Sequence, residues 1–212
     1  LYGMQHGPIS LRVSVTDRCQ LRCLYCMPAD GMPDRSRAQL ITCGEIVRFV
    51  RFLKSWTGLS KVHITGGEPL LRRGIIRLVE RLSREGLADL ALTTNGQLLS
   101  QRAAELKRAG LRRCNVSLDS LEERTFAYLT RGGELRRTLE GIDAALRCGL
   151  RPVKINTVLL RGHNDARVAE LARWALGRGC AIRFIELMPL GYARSVFGRL
   201  FVPASEARAR LE

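Results

Sequence analysis

Lysine is scarce in this chain. Of its 35 basic residues only Lys54, Lys61, Lys107 and Lys154 are lysines, and the rest are arginines. Acid is scarce too: 20 Asp and Glu leave a formal net charge of +15. Arginine-rich, solvated helix faces account for part of that excess. An anionic partner, either a phosphorylated small molecule or a nucleic acid, is the functional reading, and charge alone does not separate the two. Aromatic residues make up only 6% and mostly sit inside apolar periodic runs. That argues against an exposed basic and aromatic strip on which single-stranded bases would stack, so nucleic acid is disfavoured. No apolar run approaches the roughly 18 residues of a membrane span. Residues 1–10 lack a basic segment followed by an apolar one, so no secretory leader or membrane is expected, and a cytoplasmic location is. Internal repeats and low-complexity tracts are absent. What remains is an ordinary globular composition, 46% hydrophobic over 212 residues, enough for one domain or slightly more.

The cysteines number seven, an odd count that does not fit a disulfide framework. Cys43, Cys114, Cys148 and Cys180 lie in or beside apolar periodic segments and are expected to be small core residues. Cys19, Cys23 and Cys26 fall in one eight-residue stretch, CQLRCLYC. Three thiolates in so short a loop can converge on one centre. Structural zinc would want a fourth protein ligand, yet the next cysteine is 17 residues on and no histidine is near. An iron–sulfur cluster usually takes four cysteines, so three would leave one iron open to a small molecule. Chance clustering is the remaining alternative.

Short β-rich runs alternate with helical patterns. Strands are expected at residues 11–16, 61–65, 89–93, 113–117, 152–159 and 181–186, and helices at about 43–56, 73–85, 100–109, 122–128, 135–148 and 166–176. Thr42 and Glu45 form a capping box ahead of the first helix. Strands joined by helical crossovers make parallel βα units. A full eight-unit barrel takes about 250 residues, so six units predict an α/β fold, a partial (β/α)6 TIM-like barrel over residues 1–189. Residues 190–212 break the pattern and are expected to begin a connection to a further region, the chain stopping inside a helix. The unusual residues fall at or after the strand C-termini: Asp17, Arg18 and the cysteines; Gly66-Gly67-Glu68-Pro69; Thr93-Thr94-Asn95-Gly96; Ser117 and Asp119; Lys154 and Asn156 on the fifth strand; Glu186, Met188 and Pro189. Parallel α/β folds bind ligands at that edge.

The spacing Cys19-x3-Cys23-x2-Cys26, with Tyr25 before the last cysteine, resembles the cluster loop of radical S-adenosylmethionine (radical SAM) enzymes, and GGEP resembles their second motif. The blocks LRVSVTDRC, YCMP, ITGGEPLLRR, LTTNG, NVSLDSL, NTVLLRGHND and RFIELMPLG extend the resemblance to the GTP 3′,8-cyclase family, lyases of molybdenum cofactor biosynthesis, over residues 11–191. The resemblance implies a [4Fe–4S] cluster on Cys19, Cys23 and Cys26. SAM would ligate the fourth iron, and its reductive cleavage would give a 5′-deoxyadenosyl radical. That radical would take hydrogen from C3′ of GTP, and the sugar radical would close onto C8. It implies SAM contacts from Tyr25, Gly67, Ser117 and Met188, and GTP contacts from Arg12, Thr93 and Lys154. It also implies an electron donor such as flavodoxin or ferredoxin, and it is compatible with a homodimer. Glu68 would orient SAM or its loop, while Asp17 and Asp119 read as loop and turn formers.

Three departures qualify this. His63 stands where the family usually has an arginine on GTP, so that contact is doubtful. It would be neutral at pH 7 and charged by pH 5.5, with Arg72 or Arg73 as substitute cations. The family's second [4Fe–4S] cluster, expected only in a C-terminal region, has no cysteines here after Cys180. The family's C-terminal glycine tail is absent too. A fragment is therefore expected, able to hold the first cluster and SAM but incomplete for turnover. The alternatives are another radical SAM enzyme acting on a peptide or tRNA, and a non-enzymatic, metal-stabilised binding module.

Overall fold

A computed structural model describes residues 9–31 and 39–212. Residues 1–8, most of the segment tested for a leader, lie outside the described residues. Six strands form one parallel sheet in the order β1-β2-β3-β4-β5-β6: β1 Ser10–Ser14, β2 Lys61–Thr65, β3 Asp89–Thr94, β4 Arg113–Ser117, β5 Lys154–Val158 and β6 Ala181–Ile185. Each strand pairs with its neighbour in sequence, so the sheet curls in one direction and β1 and β6 remain as its two edges. All six expected strands are present. The first ends two residues early, because Thr16 turns away to accept a hydrogen bond from Gly67 N–H at 2.6 Å.

The crossovers are helices α1 Cys43–Thr57, α2 Ile75–Ser83, α3 Leu99–Arg108, α4 Glu123–Thr130, α5 Leu135–Arg147 and α6 Val168–Gly177. The capping box of α1 is formed in both directions, Glu45 N–H donating to Thr42 Oγ1 and Thr42 N–H to Glu45 Oε2. Strand side chains alternate between the two faces. Val62, Ile64, Leu90, Leu92, Cys114, Val116 and Ile155, each no more than 1% exposed, face the helices and make the core. Cys114 and Cys180 are buried in that core, and Cys43 and Cys148 pack against it.

The described residues after β6 form no further βα unit. A 3-10 turn at Gly191–Ser195 leads to short helices α7 Phe197–Leu200 and α8 Ala204–Ala209. Leu200, Val202 and Ala207 are buried. The Glu186 carboxylate accepts from Ala204 N–H at the start of α8, and Arg161 grips Glu206 with both terminal nitrogens at 2.8 and 3.1 Å. α8 spans Ala204–Ala209 with Arg210 as its C-cap, Ala207 is its buried residue, and Glu212 N–H still donates to Arg208 O at 3.2 Å.

Candidate functional site

The loop after β1 carries Cys19, Cys23 and Cys26 over the C-terminal edge of the sheet. It is pinned on one side by α4. The last carbonyls of a helix have no partner within it, and here Thr130 and Leu129 accept from Arg22 N–H (3.1 Å) and Leu24 N–H (2.9 Å). Arg131 also donates to Met27 O at 2.9 Å. On the other side Tyr25 hydroxyl donates to Asp119 Oδ2 at 2.7 Å, and Asn95 Nδ2 lies 3.6 Å from Cys19 Sγ.

All three thiols are pushed above the ordinary cysteine pKa, by burial first in each case. Cys23 moves furthest, because Asp119, Cys26 and Cys19 add unfavourable charge to its own burial. A metal-bound sulfur must be a thiolate. Three mutually repelling thiols fit a cationic metal–sulfur group that supplies the missing positive charge. Zinc would also want a fourth protein ligand, whereas a cluster held by three cysteines leaves one iron for a small molecule.

The turn after β2 locks onto this loop. Gly67 N–H donates to Thr16 O and Glu68 N–H to Arg18 O, at 2.6 and 2.7 Å. A Cβ on Gly67 would lie 2.3 Å from Arg18 O, and one on Gly66 2.6 Å from Thr16 O. These glycines therefore admit the backbone of the β1 loop, a role that the sequence reading gave instead to SAM. The fully buried Glu68 carboxylate accepts from Leu70 N–H (3.0 Å), Thr94 Oγ1–H (2.8 Å) and Asn95 N–H (2.7 Å). Burial raises its pKa, and the three hydrogen bonds oppose that rise. Oε1 takes two of these bonds and Oε2 one, so the Glu68 carboxylate ties its own turn to the end of β3.

Below the loop, the concave face of the sheet is polar. A closed TIM barrel fills its interior with branched aliphatic side chains. Here that face presents Arg12, His63, Thr93, Arg113, Asn115, Ser117, Lys154, Asn156 and Arg183, which the strand registers set in adjacent rows. Arg113 forks onto Asp89, with Nε to Oδ1 at 3.0 Å and Nη2 to Oδ2 at 2.5 Å. His63 Nε2 lies 2.6 Å from Thr93 Oγ1 and 3.4 Å from Asn115 Nδ2. Burial, then Arg12 and Arg113, lower the His63 pKa to about 4. Lys154 is lowered by burial, then by Arg183 and Arg113. Asn156 Oδ1 is buried with no hydrogen-bond partner, a polar atom left for a ligand.

The sequence model of the Radical SAM superfamily matches residues 13–175, from β1 into α6. The chain belongs to the radical SAM superfamily. Membership implies a [4Fe–4S] cluster and SAM. A GTP 3′,8-cyclase of Pelotomaculum thermopropionicum is 49% identical over 92% of this chain and 60% of its own length. Those of Peptoclostridium acidaminophilum and Moorella thermoacetica are 51% and 45% identical, over 84% and 95% of this chain and 55% and 62% of theirs. The chain thus spans about 60% of the length of these curated relatives. Among solved structures, Streptococcus suis SuiB bound to S-adenosylmethionine aligns at a TM-score of 0.74 with 21% identity, over 88% of this chain and 42% of that one. Methylornithine synthase (PylB) aligns at 0.67 with 17% identity, over 85% and 53%. At such identities the likeness shows the fold alone, a radical SAM partial barrel.

In this radical SAM core, Cys19, Cys23, Cys26, Tyr25, Gly67 and Ser117 gather at the C-terminal edge, while Arg12, His63, Thr93 and Lys154 share the concave face. Met188 stands at the rim beyond β6, 59% exposed. Arg72 does not substitute for a cation at position 63. Its guanidinium donates to the carbonyls of Val15 and Ile41, in a surface cavity of about 270 Å³ that Arg73 also lines. The expectation that His63 is charged by pH 5.5 is corrected by its pKa of about 4, which burial and neighbouring arginines impose. Sequence reasoning placed Asn95 at the binding edge without giving it a role, missed Asn115, Arg113 and Arg183, and took Asp119 for a turn former. The signal available for Arg113, Asn115 and Arg183 was their alternation, one position off, with the apolar Cys114, Val116 and Ile182 along each strand.

Proposed function

We propose that this chain is the radical SAM portion of a GTP 3′,8-cyclase, acting in the first step of molybdenum cofactor biosynthesis, with residues 190–212 leading into a C-terminal region that holds a second [4Fe–4S] cluster. One observation carries the reading: a cysteine loop built for a cluster lies over a concave face with a surplus of positive charge. The cyclase names of relatives about 50% identical support the same substrate.

When bound, the cluster supplies the electron that splits SAM into methionine and a hydrogen-abstracting radical. Cys19, Cys23 and Cys26 hold it as thiolates, with Asn95 orienting Cys19 and the Gly67–Glu68 turn fixing the loop's height over the sheet. Tyr25, Gly67, Ser117 and Met188 line the approach for SAM. Arg12 and Lys154, with Arg183 beside Lys154, present charge to the triphosphate. The Arg113 charge is already matched by Asp89. His63, neutral and tied to Thr93 and Asn115, offers the nucleotide hydrogen bonds and no charge. A flavodoxin or ferredoxin would donate the electron in the cytoplasm, and a homodimer is compatible with the reading.

The test is anaerobic reconstitution. About four irons and four sulfides per chain are expected, with a SAM-dependent change in the electron paramagnetic resonance spectrum of the reduced protein. Incubated with SAM, GTP and a chemical reductant, the chain should release 5′-deoxyadenosine slowly and form no cyclic nucleotide. Stoichiometric zinc that survives reconstitution would sink the cluster reading. Appearance of the 3′,8-cyclo product would overturn the assignment of base binding to a further region.

A further inference from the structure

Asp119 does more than a turn former does. A turn-forming aspartate bonds its own neighbours, but both carboxylate oxygens of Asp119 reach across the fold. Oδ2 accepts from Tyr25 hydroxyl, 94 positions away in sequence, at 2.7 Å, and Oδ1 accepts from Val158 N–H at the end of β5 at 2.9 Å. Its backbone is held as well. Asn164, 1% exposed, donates through Nδ2 to Asp119 O (2.9 Å) and Val158 O (2.8 Å), and its Oδ1 accepts from Leu160 N–H. Asp119 itself is 3% exposed, so it cannot swing to a solvent partner. The Tyr25 ring packs against the cluster of Leu129, Leu160 and Leu187, which leaves its hydroxyl one polar destination. Tyr25 sits between Cys23 and Cys26, so whatever fixes its ring fixes the chain that spaces those two thiols.

We propose that Asp119 is a positioning residue of the cluster loop, setting the pose of Cys23 and Cys26 through its hydrogen bond to Tyr25. Beside the Gly67–Glu68 turn, two anchors then hold the cysteine stretch: the carbonyl end of α4, which grips its backbone at Arg22 and Leu24, and Asp119, which grips the one polar side chain between Cys23 and Cys26. The inference rests on the reading that this loop holds the cluster, and a measurement on the apo-protein separates the failure of one from the failure of the other.

Three variants test it. Tyr25→Phe removes the hydroxyl and keeps the ring. Asp119→Ala removes both acceptors. Asp119→Asn can keep the geometry, its oxygen accepting from Val158 N–H and its amide donating to Tyr25 Oη. In the apo-protein, hydrogen exchange at the amides of Arg22 and Leu24 should quicken roughly tenfold to hundredfold in Tyr25→Phe and Asp119→Ala, as loss of one charge-assisted hydrogen bond predicts. Asp119→Asn should stay near the wild type. After reconstitution, Tyr25→Phe and Asp119→Ala should retain less iron and show a blunted spectral response to SAM, with Asp119→Asn restored. Wild-type exchange and an unchanged SAM response in Tyr25→Phe would overturn the proposal. So would an Asp119→Asn variant as impaired as Asp119→Ala. Should Asp119→Ala fail to fold, Tyr25→Phe still decides, because Asp119 keeps Val158. A wild-type protein that takes up no iron, with exchange shifts as expected, would sink the cluster reading and leave the positioning of the loop standing.

Discussion

His63 shows how far a neighbourhood can move one side chain. The unfolded chain binds its proton near pH 6.5, and the folded chain only near pH 4. Between those values the unfolded state holds the extra proton, so the contribution of His63 to stability is present above pH 6.5 and is lost as pH falls towards 4. Thermal melts of wild type and His63→Gln between pH 7 and pH 4.5 should diverge accordingly, the wild type losing more. A second consequence concerns the proposed substrate. His63 is neutral at both pH 8 and pH 5.5, so on the GTP cyclase proposal His63→Arg in the longer enzyme should tighten GTP binding by about the same factor at each pH, roughly tenfold to hundredfold. A gain confined to pH 8 would mean that the native imidazole charges after all. Cys19→Ala, Cys23→Ala and Cys26→Ala should each abolish the cluster by iron and sulfide analysis, while Cys148→Ala, at the core's edge, should not. The three cysteines were legible in the sequence because spacing alone brings them together. Asp119 was not, since its partners lie 94 and 39 positions away, and only the pairing of β4 with β5 and the loop folded over their ends introduce them.

Among the elements, the turn after β2 is the most demanding. It must pass within hydrogen-bonding distance of another loop's backbone, and a methyl group there has nowhere to go. Gly67→Ala should cost about 3 kcal/mol or more in denaturant unfolding, the overpacking range, since the atoms it meets are backbone. Thr42→Ala, which removes the cap of α1 at an exposed end, should cost about 1 kcal/mol. Comparable losses in the two variants would show that the β1 loop moves aside easily. The strands and long helices were readable because period-two and helical periodicities persist over each run. The tail was not: α7 and α8 have four and six residues, too few for a period, and they are held by single contacts such as Leu200 and Val202 that no local pattern announces.

At the scale of the whole molecule, the sheet divides the chain chemically, aliphatic towards the helices and cationic towards the hollow. Asp89 is the acid paired with Arg113 there, and Arg12, Lys154 and Arg183 keep an excess of charge. Inorganic triphosphate should therefore raise the melting temperature of the apo-protein, and Arg183→Ser should raise it without anion while shrinking the gain that anion brings. Equal anion effects in both proteins would place Arg183 outside the phosphate's reach.

The apolar layer behind the sheet gives that charge a direction. Low-dielectric packing on the helix side confines the field, so it emerges from the concave, polar side. An anionic nucleotide would be drawn along this line before it touched a residue. Its association rate should then fall steeply with ionic strength while its dissociation rate changes little, and the incomplete barrel would work as a funnel as well as a container.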